Sequence, residues 1–206
     1  IMTGTGAKTF SPKDTLTWSQ AATIASVIHS RYYGTTLDTT VPEGGDWYTP
    51  YMNYAASAGL LPSNCPSGAA ADSAYINRSS IAYLLAHAVD ASALPEISDL
   101  SIPDIGSVGA EFQPSVRLLY AAGVVTGMDD GKFHGERYTT RAEIATVVTT
   151  LLMPSQRVSH DSAENSDMAD YEGSLENDCV MAKVGGCYYC AFKYYSRKSD
   201  GTAGSA

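Results

Sequence analysis

The chain has 206 residues, 44% of them hydrophobic and 17% charged, and a net charge of −9 at pH 7. That length accommodates one compact domain plus a tail. The negative balance disfavours general attraction to nucleic acid, and no apolar run approaches the roughly 20 residues of a membrane span.

Residues 1–12 read as a loop, with Gly4 and Phe10 set as Gly127 and Phe133 are set 123 residues later. A helix is predicted from Thr17, an N-cap residue whose side chain accepts from a first-turn amide, with Gln20 completing a capping box. Ala21, Ala22, Ile24, Ala25 and Ile28 then form the stripe of a helix that buries one face. Residues 46–61, from Asp46 through Trp47 and Tyr48 to Gly59-Leu60-Leu61, read as a second amphipathic helix closed by a glycine. Residues 62–75 are small and polar, and include Cys65.

The pattern then returns. Asn77 caps a helix whose stripe is Ile81, Ala82, Leu84, Leu85 and Ala88, with Arg78 one residue past the cap. Phe112 to Gly123 match the helix that ends at Gly59. Thr140 caps the last helix, with Arg141, Glu143 and the stripe Ile144, Ala145, Val147, Val148 and Leu151. Thr17, Asn77 and Thr140 fall 60 and then 63 residues apart, so the fold is expected to be a tandem of helix-loop-helix units. The chain opens inside such a unit: the first helix of unit one lies upstream, or another element replaces it.

Residues 123–152, running from Gly123-Val124-Val125-Thr126-Gly127 through Gly131-Lys132-Phe133 to Thr140-Arg141-Ala142-Glu143, resemble the S-layer homology (SLH) family. Ile102-Pro103-Asp104 looks like that family's lead-in, and the resemblance extends over about residues 1–153. It implies a mainly all-α, pseudo-three-fold bundle, with unit 1 at about 1–33, unit 2 at 42–92 and unit 3 at 102–153. It further implies a non-catalytic, extracellular module at the bacterial cell wall or S-layer. Its ligand there is secondary cell-wall polysaccharide, often bearing pyruvate ketals.

A capped helix N-terminus offers spare amides and partial positive charge to a carboxylate, and an arginine beside it adds a planar fork. Arg141 and Arg78 hold that place, with Thr140 and Asn77 as caps; the resemblance implies that these arginines contact ligand, Arg141 leading and Arg78 supporting, and that Glu143 orients arginine or hydroxyl groups while closing the capping box. The alternative is that the arginines pair with acidic groups and hold the bundle together. Trp18 stands where unit one lacks the arginine, and Ser80 replaces the acid in unit two. Trp18, Trp47, Tyr48, Phe133 and Tyr138 are either sugar platforms or core packing. The net charge opposes an acidic polysaccharide, so local groups must carry such binding.

Other chemistry is weak. Asp129-Asp130-Gly131 lacks the spaced ligands of a calcium loop and reads as a turn. The histidines have no metal-ligand spacing, no catalytic motif is present, and no cofactor is implied. The Asn77-Arg78-Ser79 sequon is better explained as a cap. Residues 154–178 read as an acidic linker, residues 179–198 as a Cys- and Tyr-rich hairpin about Gly185-Gly186, and residues 199–206 as a mobile tail. Cys179, Cys187 and Cys190 could form a disulfide, remain free thiols, or join His160 on a metal. The function expected is wall anchoring. The alternatives are a protein–protein module of an exported assembly, including other surface-layer proteins, and the targeting part of a secreted enzyme.

Overall fold

The structure is a computed structural model that describes residue 2, residues 9–97 and 101–158, and the backbone of residues 181–184 and 187–190. Among the described residues six α-helices stand in chain order: α1 (Trp18–Tyr33), α2 (Thr49–Ser57), α3 (Ala69–Ser73), α4 (Arg78–His87), α5 (Gln113–Ala121) and α6 (Arg141–Leu152). The fold is mainly helical, as the periodicity requires. The striped faces of α1, α4 and α6 are buried in one core with Leu60, Val116, Leu119 and Phe133. Helix α2 packs on α1, and α5 on α4.

Each long helix starts where its cap predicts. The Thr17, Asn77 and Thr140 side chains accept from the backbone N–H three residues on, and both capping boxes close. Helices α2 and α5 begin one residue before a proline, Pro50 and Pro114, in the turn where a missing N–H costs nothing. Gly123, after α5, has φ +66° and no room for a Cβ, which would run into the carbonyl oxygen of Val158.

The three caps are joined at one point. Leu16 N–H donates to Thr139 O (3.0 Å), Thr139 N–H to Ile76 O (3.3 Å) and Ile76 N–H to Leu16 O (3.0 Å), a closed triangle of backbone hydrogen bonds. Leu16 and Ile76 are fully buried there, and Thr139 nearly so. Ser11 and His134, 123 residues apart, share the left-handed backbone conformation, with φ of 50° and 53°. At the other end of α6, Arg157 donates from Nε to Thr150 O and from Nη2 to Leu151 O and Ala93 O.

Helix α3 was not foreseen. Ala70 holds the place that Phe10 and Phe133 hold elsewhere, and α3 packs on α1 in place of an aromatic-bearing loop. Cys65 is half-buried, and burial pushes its thiol up to about 11. Strands β1 (Met181–Val184) and β2 (Cys187–Cys190) pair antiparallel, with Val184 opposite Cys187. The chemistry expected of Cys179, Cys187, Cys190 and His160 lies outside the described residues, as do most of the acidic linker and the tail at 199–206.

Candidate functional site

The first-turn amides expected to be spare are taken. Arg78 N–H donates to Arg137 O (2.9 Å) and Ser79 N–H to Gly135 O (2.9 Å) at α4. At α6, Arg141 N–H donates to Asp14 O (2.9 Å) and Ala142 N–H to Pro12 O (3.0 Å); at α1, Trp18 N–H reaches Ala74 O. Each of these three helix starts is met by the chain just before a neighbouring cap. A propensity argument sees the orphan amides of one helix, not the loop that arrives to satisfy them.

The two arginines lie on the same kind of partner. Arg78 sits over the Phe133 ring at 4.9 Å and donates from Nε to Phe133 O (2.9 Å). Arg141 sits over Phe10 at 4.8 Å and donates from Nε to Phe10 O (2.9 Å). Their exposure separates them: Arg141 is only 8% exposed, whereas Arg78 is half-buried. Arg78 also donates from Nη2 to Thr126 O (3.1 Å), and among the described residues it makes no ion pair. Burial lowers the Arg78 pKa, Arg137 adds to the lowering, and Glu143 and Asp104 oppose it. A guanidinium with so high a starting pKa stays charged at neutral pH.

Glu143 closes the capping box and engages a hydroxyl, and the arginine that it pairs with is Arg137. Its carboxylate accepts from Thr140 N–H (2.8 Å) and Thr140 Oγ1 (2.9 Å). Burial pushes its carboxyl up, but these hydrogen bonds outweigh that and hold it below its ordinary value. Asn77 is committed at both ends, Oδ1 accepting from Ser80 N–H and Nδ2 donating to Glu136. Gln20 accepts from Thr17 N–H and serves the cap.

Trp18 and Phe133 are core residues, 5% and 1% exposed. Tyr48 is buried and donates to Asp46, while Trp47 meets its ring edge-on and faces solvent, at the entry to α2. Sequence reasoning missed the role of Asp104, whose two oxygens accept from Phe133 N–H and His134 N–H (2.8 Å each) and so fix the loop under Arg78. It also missed Arg137, which no cap or stripe singles out. No group of three His, Cys, Asp or Glu suited to a metal occurs among the described residues.

The family profile of the S-layer homology domain matches residues 101–145. This segment is an S-layer homology domain. Such a domain is a non-catalytic module that holds proteins at the cell surface and cell wall. An endoglucanase of Bacillus sp. (strain KSM-635) is 30% identical over 171 residues, which are 78% of this chain and 17% of the relative's length. The matched S-layer homology segment contains Asp104, Phe133, Arg137, Arg141 and Glu143. Arg78, which lies on its Phe133, comes from the segment before it. The half-buried Arg78 guanidinium is therefore seated jointly, by the S-layer homology loop and by the helix that precedes it.

Proposed function

We propose that this chain is the wall-anchoring part of an exported protein, and that it grips an acidic substituent of cell-wall polysaccharide through Arg78. The supporting observation is a half-buried cation with no carboxylate partner and with its Nη1 donors unused among the described residues. A planar fork held by a ring and two carbonyls is preorganised for a carboxylate, so little rotamer entropy is lost on binding. Arg141, sealed by its own contacts, serves the architecture. The likeness to part of an endoglucanase favours a second reading within the first, that the anchored cargo is a secreted enzyme.

Retention on purified cell wall tests this. Arg78→Gln should weaken binding by about 10- to 100-fold, the size of a lost charge-assisted hydrogen bond pair. Soluble wall fragments should release the wild-type chain. Unchanged retention of the variant removes Arg78 from the site, and failure of fragments to compete favours a protein partner.

A further inference from the structure

Tyr75 and Tyr138 occupy the same place in two successive capped segments, each one residue before a member of the axial triangle. Ile76 and Thr139 turn into the core, and alternation along an extended backbone sends their predecessors outward. Tyr75 is 53% and Tyr138 56% exposed, more than any other large hydrophobic side chain described. Their rings meet edge to face, with centroids 5.8 Å apart at 62°. Both backbones are pinned, Tyr75 bridged to Thr17 and Tyr138 to Asn77. Thr15 holds the third position, bridged to Thr140.

Building on the anchoring reading, we propose that Tyr75 and Tyr138 form a stacking subsite for a neutral sugar ring of the same polysaccharide, next to the residue held by Arg78. Tyr138 is bridged through its backbone to Asn77, the residue that precedes Arg78, so the ring pair and the cation spring from adjoining backbone segments. Size decides the occupant. Two tyrosines fall far short of the roughly 800 Å² per partner of a stable protein interface, whereas the apolar face of one pyranose fits one aromatic ring. Stacking also escapes the repulsion between a chain of charge −9 and an acidic polymer. The fixed backbone leaves only side-chain freedom to lose.

Calorimetric titration of the full chain tests the subsite. The probe is polysaccharide released from purified Bacillus cell wall, used intact and after mild acid has removed its acidic substituents. Tyr75→Ala and Tyr138→Ala should each weaken binding of both forms about three- to tenfold, with little dependence on salt. Arg78→Gln should weaken only the intact form. Tyrosine variants that bind both forms like wild type overturn the subsite alone. So does a wild-type dimer that the variants convert to monomer without loss of sugar binding, since the rings then seat a second copy. A wild-type chain that binds neither form refutes the anchoring reading itself, and the subsite with it.

Discussion

Replacing Thr139 by valine should stabilise the protein. The Thr139 hydroxyl is fully enclosed and makes no hydrogen bond among the described residues, and the residue is 2% exposed. Its counterparts in the triangle are Leu16 and Ile76, so the same position takes an apolar side chain in the other two units. A buried, unpaired hydroxyl costs about 1–3 kcal/mol. Valine keeps the β-branch that suits an extended backbone and substitutes a methyl of similar size. Backbone hydrogen bonding through Thr139 N–H and O is untouched. The expected gain is therefore about 1–2 kcal/mol, or roughly 3–6 °C in Tm for a domain of this size. Urea and thermal unfolding followed by circular dichroism would measure it, with the m value unchanged. A neutral or destabilising result would show that the hydroxyl has a partner, and the premise of an unsatisfied axis would fail.

Two further outcomes separate architecture from recognition. Arg141→Met should destabilise by about 2–4 kcal/mol, combining an unpaired Phe10 carbonyl with the lost ring contact, yet leave wall binding per folded molecule unchanged; a binding loss without destabilisation would reverse the roles given to Arg78 and Arg141. For acid, burial opposes ionisation of Asp104 and Glu143, but hydrogen bonds win and hold both carboxyls below their ordinary values of 3.8 and 4.5. Their contribution is thus full above those values and is lost as pH falls through the lowered ones, because the unfolded chain binds the protons first. Melting between pH 7 and pH 3 should show a shallower acid decline for Asp104→Asn than for wild type, and equal slopes would remove Asp104 from the loop's support.

Local signals in the chain carried far. Thr17, Asn77 and Thr140 announced three helix starts, Gly59 and Gly123 two ends, and the stripes named the core, because each depends on neighbours within a turn or two. What escaped depends on distant partners. Helix α3 has five residues, Ala69–Ser73, too few for a periodic pattern. The closure of α4 by Gly135 and Arg137, and of α6 by Pro12 and Asp14, joins residues far apart in the chain. The pairing of Glu143 with Arg137, rather than with Arg141, follows from that closure. Tyr75 drew no notice because one aromatic before a cap is unremarkable until the fold sets Tyr138 beside it.

The two ends of α6 are fastened in different ways. Its C-terminal exit is held by the Arg157 clamp and the Val158 bond to Gly123. The far end of α6 is stitched to residues 10, 12 and 14 by side-chain and amide bonds, with the triangle beside them. Fraying at the exit therefore leaves the start of α6, where Arg141 and the axial triangle close the core, with its own separate set of bonds.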